Sequence, residues 1–343
     1  SLQRDDFSFD LSVQSLGECQ EGGRIWRLLE KLNLLDKIHF IPLEPAREYH
    51  FPDRKITQSS RRETHIETLS DLFPKERKGI EKVYRILKQV FEEFSRMPPS
   101  LDWFDSATFS SQHPLLSQYK NKAYGELLEE TISNPLLKTI LAIRTSYALL
   151  PPEEISVVGM AGIEMSYFSH GVSGLEGKVE QFPLQLKEAF ERFGGELLLG
   201  EEILRIAIEG KKATGVMLGS GQEIKGGVIV SNIDARTTFM HLIGEDLLPS
   251  GFQSKLKRMR PSLSYYILYL GIDGDLSELS VSNNEVFPDD RVFREYQMLK
   301  ENQIPEEAPF YLLAPSKVNP SHAPEGKSTL CLSMKAPYHF SPL

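Results

Sequence analysis

The order of structural elements is clearest in residues 182–232, FPLQLKEAFERFGGELLLGEEILRIAIEGKKATGVMLGSGQEIKGGVIVSN. Phe182, Leu186, Phe190 and Phe193 fall on one helical stripe, and the Gly-Gly pair that follows is a typical C-terminal stop. The stretch is therefore predicted to open with an amphipathic helix.

Several strand-like segments follow this helix. Residues 203–208 are mostly apolar, and Gly219-Ser220-Gly221 predicts a hairpin turn between residues 215–218 and 222–224. Strands are also expected at residues 196–199 and at the fully apolar residues 227–230, which lead into Ser231-Asn232. This order is typical of a small antiparallel meander that crosses back onto a nucleotide-binding sheet.

Outside this stretch, alternation over residues 7–13 predicts a half-buried strand, and apolar residues at helical spacing predict a long surface helix over residues 74–97. A helical block covers residues 115–150. Its apolar part, residues 136–143, is expected to be buried, with a lipid-facing or ligand-channel helix as the alternative. Residues 275–309 are polar and broken by proline, which predicts mostly loop and short helix. Later strands are expected at residues 265–270, 311–313 and 330–334.

Composition places the chain among ordinary globular proteins. It has 343 residues, of which 40% are hydrophobic and 25% charged, enough for one large domain or two interleaved ones. The 39 Lys and Arg against 48 Asp and Glu give a net charge of -9, so we expect no nucleic-acid partner. No apolar run approaches the roughly 20 residues of a membrane span.

Catalytic motifs are absent from the sequence. It has no GxSxG, HExxH, GxGxxG or Walker pattern, and its eight His residues are scattered. We therefore expect no metal site, and the sequence assigns no catalytic acid or base.

A family resemblance rests on particular residues of the quoted stretch. Residues 186–196, 202–206, 210–216 and 228–232 resemble the flavin-dependent phytoene desaturase family, most closely its carotenoid isomerase and retinol saturase branch. Three further segments resemble the same family: Phe9-Asp10-Leu11, residues 72–80 and residues 261–271. The resemblance covers most of the chain and is strongest in its middle.

The resemblance implies an α/β (α+β) fold: a Rossmann-like FAD/NAD(P)-binding domain with an interleaved substrate domain of mixed sheet plus helices. It places residues 1–60 and 181–245 in the FAD-binding domain, and residues 61–180 and 246–343 in the substrate-binding domain. The family's two glycine-bearing flavin motifs would lie before and after this sequence. The chain is accordingly expected to be the truncated, interior portion of a longer flavoprotein.

The implied function is an FAD-dependent oxidoreductase (desaturase, saturase or isomerase) that acts on a long apolar polyene such as a carotenoid or retinoid. By the resemblance, Ile203 lends its backbone N–H and C=O to the adenine of FAD, with Glu202, Ser231 and Asn232 near the nucleotide. The alternative is that Ile203 only fills the core.

The resemblance also places Tyr167 and His170 close to the substrate, with a structural histidine as the alternative for His170. The expected partner is an apolar small molecule, which makes peripheral membrane contact plausible beside a cytoplasmic location. Two other functions stay open at this stage. One is an amine-oxidase-like flavoenzyme, and the other is a non-catalytic binding protein resembling Rab GDP-dissociation inhibitor.

Overall fold

A computed structural model describes residues 2–11, 15–98, 105 and 107–338. The chain divides into two compact units. The first is formed by Ser1–Leu186 together with Leu263–Leu343, and the second by Lys187–Ser262. The mixture of helices and sheets agrees with the expected α/β (α+β) class.

Twelve α-helices occur in the described residues. They are α1 (Arg24–Leu32), α2 (Arg62–Leu72), α3 (Arg77–Ser95), α4 (Phe109–Gln112), α5 (Pro114–Tyr119), α6 (Tyr124–Thr131), α7 (Pro135–Ala142), α8 (Val157–His170), α9 (Gln181–Arg192), α10 (Ser250–Arg258), α11 (Arg294–Lys300) and α12 (Pro315–Val318). Short 3-10 turns cover Pro74–Glu76, Ile143–Ala148, Glu245–Leu247 and Pro320–His322, and a π-helix covers Thr237–Gly244.

The strands of the described residues are β1 (Leu2–Arg4), β2 (Phe7–Phe9), β3 (Leu16–Gly17), β4 (Phe40–Pro42), β5 (Arg47–Phe51), β6 (Arg54–Gln58), β7 (Val172–Leu175), β8 (Ile203–Glu209), β9 (Lys212–Leu218), β10 (Glu223–Lys225), β11 (Ser264–Asp273), β12 (Asn283–Val286), β13 (Phe310–Leu313) and β14 (Lys327–Ala336). They form sheets of order β1-β2, β3-β7-β4, β10-β9-β8 and β11-β14-β13-β12-β5-β6.

The six-stranded sheet and a layer of helices form the core of the first unit. All its neighbouring strands are antiparallel except β12 and β5, which run parallel. Tyr49, Phe51 and Ile56 from β5 and β6 are buried together with apolar side chains of α3, α6, α7 and α8. The helices thus cover one face of the sheet at its β5 and β6 end.

The long helix predicted over residues 74–97 is confirmed as a 3-10 turn and α3, whose Ile80, Val83, Leu87 and Val90 are buried. Burial of the apolar residues 136–143 is confirmed as well, since most of them lie inside the helical layer. The strand predicted over residues 7–13 is seen as β2, with residues 12 and 13 outside the described part of the chain.

The second unit contains the predicted meander. β8, β9 and β10 form two successive hairpins, and Gly210 and Gly221 adopt φ angles of 63° and 85° in their turns. A Cβ is strained at such angles, so glycine suits both turns. The predicted hairpin about residues 219–221 is confirmed.

Two strand predictions in this unit are wrong. Residues 196–199 and 227–230 are irregular, and Val228 and Val230 are 82% and 87% exposed. The apolar pattern alone predicted these strands, but a strand also needs a neighbour that completes its backbone hydrogen bonds. No described strand lies beside either segment.

The structure also contains a strand that the sequence analysis did not predict. β12 has the sequence Asn-Asn-Glu-Val, and its first three residues are buried. Strand patterns are recognised by their apolar residues, so a polar strand inside a sheet gives no signal. None of the described helices is both long and apolar enough to cross a membrane.

Candidate functional site

A cavity of about 490 Å³ lies in the first unit, with the six-stranded sheet as its floor. Two rows of side chains cross the strands in register. One row is Ile267, Ser333, Tyr311 and Glu285, and the other is Tyr269, Cys331, Leu313 and Asn283. All eight side chains line the cavity, which is therefore built on one face of β11, β14, β13 and β12.

Part of the remaining wall comes from the helical layer. Ser146 and Tyr147 belong to the 3-10 turn after α7, and Tyr167 belongs to α8. The rings of Tyr147 and Tyr167 meet edge to face, with their centroids 5.6 Å apart. An edge-to-face pair fixes both rings, so the two phenols hold defined positions on the wall.

Two buried ion pairs stand behind these tyrosines. Arg47 contacts Glu285 at 2.5 Å, and Arg144 contacts Glu164 at 3.4 Å. The Arg47 guanidinium also donates a hydrogen bond to the Tyr147 hydroxyl, while the Arg144 guanidinium lies 3.9 Å from the centre of the Tyr167 ring. Both guanidinium groups therefore lie against the two tyrosines of the cavity wall.

The protonation of these groups follows from their burial. Burial alone lowers the pKa of Arg47, but Tyr147, Tyr49 and Glu285 outweigh it, and the pKa lies well above its ordinary value. Burial raises the pKa of Tyr147 despite the nearby Arg47, and raises that of Tyr311 well above its ordinary value. At neutral pH the guanidinium is charged and both phenols keep their protons.

Asp10 and His322 form a second buried polar group at the cavity. Asp10 lines the cavity, and His322 Nε2 lies 3.7 Å from Asp10 Oδ2. Burial raises the pKa of Asp10, although His322 opposes the shift, and burial lowers the pKa of His322. Burial therefore favours the neutral form of both side chains.

In the second unit, the backbone of Ile203 faces an open sheet edge. The Gly219 N–H donates to the Glu202 carbonyl at 2.7 Å, one position outside the Ile203–Leu218 pair. This spacing makes Ile203 and Leu218 a non-hydrogen-bonded pair, whose N–H and C=O groups point away from the partner strand. In the described sheet, β8 is the outermost strand on that side.

The other sequence-predicted residues lie as follows. Glu202, Ser231 and Asn232 are exposed in the second unit, and Ser231 Oγ lies 2.8 Å from Thr238 Oγ1. β8 contacts the π-helix that contains Thr238, so the strand that begins at Ile203 and the side chain of Ser231 adjoin the same helix. Tyr167 lines the cavity of the first unit, whereas His170 ends α8 beside Gly22 and does not line it.

Most cavity residues were missed by the sequence analysis. Arg47 and Glu285 are 238 positions apart in the chain, and Arg47 and Tyr147 are 100 apart. Only the adjacent charged residues Arg47 and Glu48 beside the aromatic residues of β5 could have signalled a buried polar site.

Comparisons with known proteins agree with the fold. No family model matches the chain. The solved structure of an oxidoreductase from Methanosarcina mazei superposes with a TM-score of 0.67 at 15% identity, covering 98% of this chain and 70% of that one. At this identity the likeness supports the fold alone, and it bears out the expected class.

Two curated relatives extend the comparison to sequence. The chain is 25% identical over 321 residues to a 4,4'-diapophytoene desaturase (4,4'-diapolycopene-forming) of Methylomonas sp, covering 90% of this chain and 60% of the relative. It is 22% identical over 375 residues to all-trans-retinol 13,14-reductase of Danio rerio, covering 99% and 60%. The chain thus spans about three fifths of the length of both. These relatives confirm the resemblance seen in the sequence, and the chain is related to the family of phytoene desaturases, carotenoid isomerases and retinol saturases.

Proposed function

We propose that this protein is an FAD-dependent oxidoreductase that acts as a desaturase, saturase or isomerase on a long apolar polyene such as a carotenoid or retinoid. The observation that carries the proposal is the cavity on the six-stranded sheet. Desaturase and reductase relatives support the reaction class.

The cavity has the surface that such a substrate needs. Ile267, Leu313, Tyr269, Tyr265 and Cys331 supply apolar and aromatic surface along its sheet floor. Ligand sites of this kind are typically apolar concavities of roughly 300–1,000 Å³ with a few placed polar groups. In this cavity the chain itself would orient the polyene and exclude water from it.

The second unit supports the proposed cofactor. A backbone N–H and C=O that face outward side by side, as those of Ile203 do, can pair with the acceptor and donor on an adenine edge. Ser231, Asn232 and the Glu202 carboxylate would lie near the nucleotide. When bound, FAD supplies hydride transfer, which side chains cannot provide.

The domain assignment and location are part of the same proposal. Residues 1–60 and 181–245 would belong to the FAD-binding domain, and residues 61–180 and 246–343 to the substrate-binding domain. Most of the compact unit Lys187–Ser262 lies inside the first set. A polyene ligand partitions into lipid bilayers, so we also propose that the protein makes peripheral membrane contact. Co-flotation of the protein with liposomes would test this.

An ultraviolet-visible scan of the intact protein tests the function. We expect flavin absorption bands. Ile203→Pro removes the outward N–H without removing a bond to β9, because proline is tolerated at an open sheet edge. This variant should lose the flavin, whereas Ile203→Val, which keeps the backbone, should retain it. A folded but colourless wild-type protein would refute the proposal and favour the non-catalytic binder.

A further inference from the structure

Tyr147 is a polar residue of the cavity wall. As a whole it is 45% exposed, although its neighbours Ser146 and Thr145 are buried. Its phenol oxygen accepts a hydrogen bond from Arg47 Nη2, and no other described residue bonds to that hydroxyl. The hydroxyl hydrogen of Tyr147 is therefore available to a ligand in the cavity.

Arg47 holds this phenol in place. Its own side chain is 4% exposed, its Nη1 is bound to Glu285, and its guanidinium carbon lies 5.3 Å from the centre of the Tyr147 ring. A cation that donates to a phenol oxygen strengthens the bond that the phenol donates onward, because hydrogen bonds in series polarise one another. Arg47 is thus a positioning residue for Tyr147.

A pure hydrocarbon fits this wall poorly. Filling the cavity with hydrocarbon removes the water that bonds to Tyr147 and leaves its hydroxyl unpaired, and an unpaired polar group in a dry site is costly. A site built to hydrogen-bond an oxygen rejects the analogue that lacks it, whereas an added methyl group is discriminated only weakly. The wall therefore favours a ligand that places an oxygen acceptor beside Tyr147.

We propose that the cavity binds a long apolar molecule that carries an oxygen acceptor, a hydroxyl or a carbonyl, and that Tyr147 donates the hydrogen bond that recognises this oxygen. The inference rests on the proposed function and narrows its substrate class. The apolar skeleton would lie along the Ile267 and Leu313 side of the sheet floor, with the oxygen at the Tyr147 wall.

The test compares two ligands that differ by one oxygen. The intact protein is titrated with all-trans-retinol and with the hydrocarbon in which a methyl group replaces the CH2OH end, and binding is followed by quenching of protein fluorescence. We expect retinol to bind about tenfold more tightly, the ratio that one well-placed hydrogen bond gives. Tyr147→Phe keeps the ring and should bring the ratio close to one without weakening hydrocarbon binding.

Matched variants separate recognition from folding. Tyr266→Phe removes a hydroxyl from β11 at a residue that does not line the cavity and should keep the tenfold ratio. The double variant Arg47→Met, Glu285→Met removes the guanidinium that positions Tyr147. Because the Glu285 carboxylate is removed as well, no unpaired charge is left buried. The double variant should lower the ratio without weakening hydrocarbon binding, whereas a damaged cavity would bind both ligands more weakly.

The outcomes distinguish this inference from the proposed function. Equal binding of both ligands by the wild-type protein, or a ratio that survives in Tyr147→Phe, overturns the role of Tyr147 and leaves the polyene cavity standing. Binding of neither ligand overturns the proposed function and this inference with it.

Discussion

His65 shows how burial sets the chemistry of a single residue. It lies in α2, with its ring 5.7 Å from that of Tyr84 and 5.6 Å from that of Phe168. Burial, and to a smaller extent the charge of Arg144, lowers its pKa from 6.5 to about 3. The imidazole is therefore neutral in the folded protein and acts as an aromatic core side chain.

This pKa predicts a pH-dependent stability. Below pH 6.5 the unfolded chain protonates His65 and the folded chain does not, so stability falls as the pH decreases toward 3. Between pH 7 and pH 5 we expect His65 to contribute a loss of about 2 kcal/mol. His65→Phe keeps the aromatic packing, and its free energy of unfolding in urea should fall by about 2 kcal/mol less between pH 7 and pH 5 than that of the wild type. His39→Gln, at an exposed position, should show the wild-type decrease. An identical pH dependence in wild type and His65→Phe would contradict this assignment.

The residues of the candidate site were only partly predictable. The family resemblance predicted that Tyr167 lies close to a substrate, and in the structure Tyr167 lines the cavity; its contact with a substrate stays a prediction. Nothing in the sequence assigned Arg47, Tyr147 and Glu285 to a site, because each is an ordinary polar residue in its own segment. They become a site only when β5, β12 and the turn after α7 meet.

At the scale of elements, one close contact fixes how α3 meets the end of α6. A Cβ added to Gly79 would lie 2.4 Å from the Thr131 carbonyl oxygen and 2.8 Å from Ile132 Cδ1. Such distances are too short for any side chain, so α3 needs a glycine there. In α8, by contrast, a Cβ added to Gly162 meets nothing within 4 Å.

These two glycines form a matched pair. Alanine is a better helix former than glycine, so Gly162→Ala should raise the free energy of unfolding by roughly 0.5–1 kcal/mol. Gly79→Ala should lower it by roughly 1–3 kcal/mol, because α3 must move away from α6. Urea unfolding of both variants measures the difference. If both substitutions stabilise the protein equally, the packing of α3 on α6 is not as described.

The helices and hairpins were easier to predict than the strands of the large sheet. α3 and the hairpin of β9 and β10 are specified by neighbouring residues, through apolar spacing and turn glycines. β12 is specified by partners up to 238 positions away, and its polar sequence gives no local pattern. The strand prediction for residues 227–230 is wrong for the opposite reason, since these residues have an apolar strand pattern but no described partner strand.

For the whole molecule, two separate features support the proposed function. The first unit contains a cavity with an apolar and aromatic floor, and the second contains a strand whose backbone faces an open edge. The relatives named as desaturase and reductase are matched over 90% and 99% of this chain. The proposed substrate class and the proposed reaction both depend on binding of a polyene in the cavity of the first unit.

Polyene binding by a variant with a filled cavity shows whether the ligand occupies this cavity. Ser333 lies in the middle of the cavity floor, between Ile267 and Tyr311, and phenylalanine is favourable in a strand. We expect saturable retinol binding by the wild-type protein and by Ser333→Thr, and binding about tenfold or more weaker by Ser333→Phe. Equal retinol affinity in Ser333→Phe and wild type would show that the polyene does not occupy this cavity.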